Sequence, residues 1–235
     1  MSTSSEVVWS GPLDAAEWPE KLTARVVTPG PCPRLHGYDV EGDLARHYSF
    51  TETVLLALTG DLPTAAAARA FDVALQFAAP ASAQEAPTHA TILARICMAS
   101  TSQMQGVAAI ALAEQARVLV TEHHRWIELL GGQPLDVPPE LCAKTDSERE
   151  SVDRLRRALH GTVDVPALSR DLGRTAALLA TLHACGLKSP ETVECALVMA
   201  RLPVAMAEAL ATPSGSHRQY PVQLPRIEYT QEGAS

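Results

Sequence analysis

The stretch RLHGYDVEGDLARHYSFTETVLLALTGDLP, residues 34–63, holds a close series of turn and helix-capping signals. Gly37 permits a tight turn, and Ser49 and Glu52 have the spacing of a capping box, in which a hydroxyl and a carboxylate satisfy free donors at a helix start. A run of Val and Leu follows, Gly60 ends it, and a proline shortly afterwards prevents its continuation. These signals predict short helices joined by tight turns.

The composition predicts a helical protein and argues against a nucleic-acid partner. Hydrophobic residues make up 46% of the 235 residues but aromatic residues only 4%, so Ala, Leu and Val must build the core. Small side chains of this kind favour closely packed helices. The net charge is −8 and no basic stripe is present, whereas binding to a phosphate backbone needs clustered Lys and Arg.

The location predicted from the sequence is cytoplasmic. The first residues, MSTSSEVVWSGP, lack the basic segment and apolar segment of a secretory signal, and the longest apolar run, GVAAIALA, is too short to span a bilayer. Five cysteines without a C-x-x-C pair indicate reduced thiols. Cys97, Cys185 and Cys195 lie in apolar helical stretches and are expected to be buried. No membrane partner is expected.

The rest of the chain is dominated by helical patterns, so the predicted fold class is all-α. One helix is expected over residues 64–79, and residues 101–131 are expected to form a single long helix, apolar on most sides and buried within a bundle. Thr145 begins a charged helix with capping-box spacing. Ser189 is expected to cap the last helix, which contains Pro203.

Five stretches in order resemble the citrate synthase superfamily. The first, HGYDVEGDLARHYSFTETVLLALTGDLPT, follows that family's R-G-Y, D/E-L-A, S-F-E-E and L-L-x-G-x-L-P-T pattern. HATILARICMASTS resembles its A-A-R-x-x-A-S-T-G motif, and LATLHACGL, ALVMARLPVAMAEAL and LPRIEYTQEG resemble motifs near its C-terminal end. Citryl-CoA lyases, the cleavage branch, compare equally well with the helical stretches.

The resemblance implies a domain organisation. Residues 1–35 would form an irregular N-terminal segment, and 36–130 with 170–211 a citrate synthase-like large helical domain. Residues 131–169 would form a reduced small domain, which in the family carries most of the coenzyme A contacts. Residues 212–235 would form an extended C-terminal tail that reaches across a homodimer interface.

The family's chemistry uses two imidazoles, one on the oxoacid carbonyl and one on the thioester oxygen, and this sequence replaces both. Counting from the matched arginine motif, the first imidazole position holds Glu85, with His89 one turn later. The second position falls near Thr121, with His123 and His124 close by. Glu85, His89, His123 and His124 are therefore the candidate catalytic residues of this half of the site.

The family also uses a carboxylate base and arginines that hold substrate carboxylates. The base position falls at Thr175, so Asp171, one turn earlier, is the remaining candidate base. Asp171 with Arg174 has the simpler interpretation of a surface ion pair. The predicted substrate-binding residues are Arg95, His183 and Arg226. His183 has the alternative interpretation of packing or capping near a helix end, where imidazolium is favoured.

No metal or cofactor is predicted. The side chains of adjacent His123 and His124 point about 100° apart on a helix and cannot form a one-face ligand pair. A coenzyme A thioester remains a candidate substrate rather than a cofactor.

The sequence therefore leaves two hypotheses. The first is a citrate synthase-like protein repurposed for a different small molecule, with carbon–carbon bond formation or cleavage on an acyl-CoA or oxoacid-like compound. Standard citrate synthase activity is not expected, since both imidazole positions, the base position and the tail arginine position, which holds Leu224, are changed together. The second is a non-catalytic subunit that pairs with a full-length family member. A homodimer is expected in the first case.

Overall fold

The computed structural model describes residues 23–132 and 137–215. These residues belong to two compact units, 23–50 and 51–215, each of which is described by itself. Most of the predicted C-terminal tail, including Arg226, lies outside the described residues, as does most of the predicted irregular N-terminal segment.

The first unit opens with a small antiparallel sheet. Its strands are β1 (Val27–Thr28), β2 (Arg34–Leu35) and β3 (Tyr38–Asp39), in the order β1-β2-β3. The turn between β2 and β3 places His36 at φ +46° and Gly37 at φ +86°. Two successive left-handed residues are what a two-residue hairpin requires, so the turn predicted at Gly37 is confirmed.

A short helical segment follows the sheet. Asp39 accepts hydrogen bonds from the backbone N–H groups of Glu41 and Gly42, at 3.1 and 2.7 Å, and so caps a π-helical turn, Val40–Leu44. The helix α1 (Ala45–His47) continues from this turn. A carboxylate at a helix start satisfies donors that would otherwise lack a partner.

The second unit is a bundle of helices, and the predicted all-α fold class is confirmed. Two short 3₁₀ turns, Pro139–Leu141 and Pro166–Ser169, connect the middle helices. The helices are α2 (Phe50–Thr59), α3 (Ala65–Ala78), α4 (Ala86–Ile96), α5 (Thr101–Glu122), α6 (His124–Leu130), α7 (Asp146–Ala158), α8 (Arg174–Ala184) and α9 (Pro190–Ala211).

Polar caps fix where these helices begin. Thr145 accepts from the backbone N–H of Glu148 at 3.2 Å, and Ser189 accepts from that of Thr192 at 3.3 Å, so both predicted starts are confirmed. The Glu148 carboxylate accepts from the Lys144 backbone instead of closing the predicted capping box at Thr145. Such caps stabilise a helix by about 1 kcal/mol each.

The core of the second unit surrounds α8. Every residue from Ala176 to Leu182 is buried, and α3, α6 and α7 pack around this helix. Trp126 of α6 is 1% exposed, and its indole N–H donates to the Ala176 carbonyl at 3.0 Å. A helix buried on all sides must lie inside the bundle. The buried central helix is therefore α8, whereas the sequence predicted it to be the helix that begins at residue 101.

The long helix predicted over residues 101–131 is wrong in two respects. It breaks at His123, whose φ of −109° and ψ of 15° separate α5 from α6. The His123 ring Nδ1 lies 2.9 Å from the Leu119 carbonyl, a local hydrogen bond that competes with helix continuation. In addition, α5 buries one stripe only, with Ile110 70% exposed and Val118 48% exposed on other faces.

The burial expected for the cysteines is correct for one of three. Cys185 is buried, while Cys97 is exposed in the turn that ends α4 and Cys195 is exposed on α9. In the described ranges, no helix is long and apolar enough to cross a membrane.

Candidate substrate cavity

A cavity of about 240 Å³ opens in the second unit. Its apolar wall comes from α3, α5, α7, α8 and α9, and its polar groups cluster at two places: Glu85 with Arg201, and Arg174 with Thr175 and Ser151. The apolar lining consists of Phe77, Ala78, Pro80, Leu119, Val152, Leu155, Leu178 and Leu197. A mostly apolar cavity with a few convergent polar groups is the usual form of a small-molecule site.

The first polar cluster is a closed network of three side chains, which we call the Glu85–Gln115–Arg201 network. The Arg201 guanidinium donates through Nη2 to Glu85 Oε2 and through Nη1 to Gln115 Oε1 at 2.5 Å. The Gln115 amide donates to the same Glu85 oxygen at 3.0 Å. Each side chain therefore contacts both of the others.

The main chain fixes Glu85 in this position. Glu85 precedes α4, and its Oε1 accepts from the Ser82 backbone N–H at 3.1 Å. Burial raises the pKa of the Glu85 carboxyl, but the hydrogen bonds from Ser82, Arg201 and Gln115, with the charge of Arg201, outweigh it and hold the pKa below its ordinary value. Glu85 is therefore an ionised partner of Arg201.

Arg201 is the more deeply buried partner. Its side chain is 16% exposed, against 33% for Glu85, and its Nε is buried without a hydrogen-bond partner among the described residues. A buried guanidinium needs a counter-charge, because an isolated ion in a low-dielectric site is costly. Glu85 supplies that charge from within the chain.

The second polar cluster carries the remaining charge of the cavity. Arg174 and Thr175 form the first turn of α8, and Ser151 faces them from α7. Arg174 donates through Nη2 to the Phe77 carbonyl, in the last turn of α3, at 2.6 Å. With Glu85 offset by Arg201, Arg174 leaves the cavity lining with one net positive charge.

The predicted catalytic residues lie in different places. Glu85 lines the cavity. His89 is one turn further along α4 and exposed, and His123 caps the end of α5. His124 is exposed and pairs with Glu128 at 3.2 Å, while Asp171 pairs with Arg149 at 3.2 Å. His89, His123, His124 and Asp171 are not among the residues that line the cavity.

The surface ion pair expected between Asp171 and Arg174 is wrong. Asp171 pairs with Arg149 of α7, and Arg174 is directed to the Phe77 carbonyl instead. Arg174 thereby becomes a residue of the cavity, while Asp171 stays on the surface. The two side chains diverge because Arg174 already belongs to the first turn of α8.

The predicted substrate-binding residues also lie apart from the cavity lining. Arg95 ends α4 and donates to the Thr212 carbonyl at 3.4 Å. His183 lines a second, smaller hollow between α6 and α8. Burial, and then the charge of Lys188, lowers the pKa of His183, so the imidazolium that the sequence favoured there is not the preferred form.

Sequence reasoning missed Arg201, Gln115 and Arg174 as site residues. A signal for Arg201 was present, because an arginine within the apolar stretch ALVMARLPVAMAEAL needs a partner where that stretch packs into the core. Gln115 and Arg174 carried no such signal. Thr175, counted as the family's base position, does line the cavity, although a threonine hydroxyl is a poor base.

Within residues 23–132 and 137–215, no group of three or more His, Cys, Asp or Glu side chains is placed to hold a metal ion.

Solved structures with a similar fold include a citryl-CoA lyase and two ATP citrate lyases. Citryl-CoA lyase from Hydrogenobacter thermophilus is 15% identical with a TM-score of 0.66, and the match covers 91% of this chain and 96% of that one. ATP citrate lyase from Methanothrix soehngenii, in complex with citrate and coenzyme A, is 10% identical with a TM-score of 0.63. A variant of the Methanosaeta concilii ATP citrate lyase, in complex with (3S)-citryl-CoA, is 11% identical with a TM-score of 0.62.

The chain therefore has the helical fold of citryl-CoA lyase, and the predicted citrate synthase-like fold is confirmed. It spans 46% and 44% of the two ATP citrate lyase chains but nearly all of the citryl-CoA lyase chain. The short segment between α6 and α8 is therefore compatible with this fold, because a solved protein of similar length has the fold as well. No protein-family model matches the sequence, and no curated protein sequence matches it significantly.

Proposed function

We propose that this chain is a citrate synthase-like protein repurposed for a different small molecule. The cavity binds a small acyl or oxoacid compound, either free or as the acyl part of a coenzyme A thioester. The reaction is the formation or cleavage of a carbon–carbon bond. Similarity of fold supports the reaction type, whereas the lining residues themselves support the binding site.

One observation carries this proposal. Two positions at which the family resemblance implies site residues, Glu85 and Thr175, line the same cavity although 90 residues separate them in the sequence (175 − 85). Arg201, the arginine of a third matched stretch, lines it as well. Such convergence supports a cavity that retains the place of the family's site while its chemistry has changed.

The residues argue against standard citrate synthase activity. Proton abstraction from a methyl group needs a positioned base, and the described lining contains no imidazole. Its one carboxylate, Glu85, is held by Arg201 with a lowered pKa and is a weak base. Among the described lining residues, no side chain is therefore suited to take a proton from the acetyl group of a thioester.

Thermal unfolding with candidate ligands tests the proposal. The panel is coenzyme A, acetyl-CoA, citrate and short oxoacids and fatty acids. A ligand at a hundred times its Kd stabilises the fold by about 2.7 kcal/mol, which raises the Tm by roughly 5–10 °C for a chain of this size. Compounds that raise the Tm then enter turnover assays.

A matched pair of variants links any shift to the cavity. Ser151 lines the cavity from α7, whereas Ser147, one turn earlier on the same helix, is exposed. We expect Ser151→Phe to fill the cavity and abolish the ligand-induced shift, and Ser147→Phe to preserve it. Absence of any shift across the whole panel contradicts the proposal and favours a non-catalytic partner subunit.

The expected homodimer also remains a proposal. Val107, Ile110 and Val118 expose apolar side chains along α5, and this supports burial of that helix against a second copy. Sedimentation analysis of the full chain tests it directly.

A further inference from the structure

We propose that Glu85 is the specificity-determining residue of the cavity and limits its ligands to compounds with a single carboxylate. This inference rests on the proposed function, because it names the class of acyl compound that the same cavity accepts. Of the two guanidinium groups on the lining, that of Arg201 is occupied by groups of the chain and that of Arg174 is available to a ligand.

Arg201 is not available to a ligand. A guanidinium is a planar fork that binds a carboxylate through two parallel N–H bonds. Both Nη atoms of Arg201 already donate within the chain, one to Glu85 and one to Gln115. A ligand carboxylate would have to displace Glu85 from this fork.

Glu85 resists displacement because other groups hold it. The Ser82 backbone and the Gln115 amide donate to its two carboxylate oxygens at 3.1 and 3.0 Å. A carboxylate that is already oriented by its own chain competes favourably with a free one, which loses translational and rotational freedom on binding. Glu85 and Gln115 therefore occupy both Nη atoms of Arg201, and a ligand carboxylate does not readily replace Glu85 there.

Arg174 is available in a way that Arg201 is not. It is exposed at the cavity wall, and within the described residues its protein hydrogen bond comes from Nη2 alone, to the Phe77 carbonyl. Its other nitrogens can donate to one ligand carboxylate, with the hydroxyls of Thr175 and Ser151 nearby on the lining. The neighbouring lining is apolar and suits a hydrocarbon portion of the ligand.

A second carboxylate on the ligand has no partner. In a cavity of about 240 Å³ it would lie close to the ionised Glu85 and well within the Debye length of about 8 Å at physiological salt. Like charges at such a distance repel, and Arg201 is already neutralised. Glu85 thus disfavours dicarboxylates in two ways, by repelling the second carboxylate and by occupying the Arg201 guanidinium.

The test compares butyrate with succinate, which have the same carbon-chain length but one and two carboxylates. Isothermal titration calorimetry at pH 7 gives both affinities for the wild type, for Glu85→Gln and for Glu114→Gln. Glu114 is a matched control, since it is an exposed glutamate that pairs with Arg117 outside the cavity.

We expect the wild type to prefer butyrate. Glu85→Gln should raise the affinity for succinate relative to butyrate by about tenfold or more, the effect of one new charge-assisted hydrogen-bond pair. Glu114→Gln should leave the ratio unchanged. An unchanged ratio in Glu85→Gln, or a wild type that prefers succinate, overturns the inference.

A second variant covers the case in which Glu85→Gln is poorly folded. Glu85→Ala leaves space for a small carboxylate beside Arg201, so added acetate should raise its Tm more than that of Glu114→Gln. Equal effects on the two variants overturn the inference.

The two proposals fail separately. A wild type that binds neither butyrate nor any thioester contradicts the proposed function, yet a gain of succinate binding in Glu85→Gln would still support the role of Glu85. Conversely, wild-type binding of butyrate without a gain in Glu85→Gln removes the role of Glu85 alone.

Discussion

Replacing Glu85 by glutamine should destabilise the fold, because it removes the counter-charge of a largely buried arginine, Arg201. The Arg201 side chain is 16% exposed, and its other partner, Gln115, is neutral. Breaking a buried ion pair costs about 3–5 kcal/mol, and the one-third exposure of Glu85 lowers this to about 2–3 kcal/mol. At roughly 2–4 °C per kcal/mol, the Tm of Glu85→Gln should fall by about 4–12 °C.

Urea and thermal unfolding followed by circular dichroism at pH 7 measure this cost. Glu114→Gln, which breaks an exposed ion pair with Arg117, is the control and should change the Tm little. Replacing Arg201 by methionine in the Glu85→Gln background should recover part of the loss, because no buried charge then remains unpaired. If Glu85→Gln is as stable as Glu114→Gln, Arg201 does not need Glu85 as its counter-charge.

Three further predictions concern titration and reactivity. The folded state lowers the pKa of Glu85 from 4.5, so the contribution of the ionised carboxylate to the free energy of unfolding is present above pH 4.5 and lost in more acidic solution. The stability difference between wild type and Glu85→Gln, measured by urea titration, should therefore shrink below that pH. The lowered pKa of His183 means that protonation opposes folding, so wild type relative to His183→Gln should lose stability below about pH 6.5, and a flat difference would contradict this. Burial raises the pKa of the Cys185 thiol to about 12, so a thiol reagent at pH 8 should modify exposed Cys195 first and Cys185 only on unfolding, as peptide mapping would reveal.

The local structure could largely be predicted from the sequence. Thr145 and Ser189 begin α7 and α9 because their hydroxyls are the nearest acceptors for the first free N–H groups. Gly37 forms the predicted hairpin turn at a positive φ. These features depend on neighbours within about four residues, and sequence patterns report such neighbours directly.

Features set by distant contacts could not be predicted in the same way. The break at His123 carries no glycine or proline, and the apolar composition of α5 did not reveal that one of its faces stays exposed. The pairing of Glu85 with Arg201 joins residues 116 apart. Without that contact, the sequence does not show that Arg201 offsets the negative charge of Glu85.

The long separation within the Glu85–Gln115–Arg201 network has a consequence for the order of folding. Glu85 and Gln115 are 30 residues apart, whereas Arg201 lies on α9, the last helix of the described chain. During synthesis the first two side chains emerge well before the third, so the network and the cavity wall are completed only after α9 docks. Ligand-binding competence would then appear as a late event in folding, and loss of α9 docking would abolish it before the rest of the bundle unfolds.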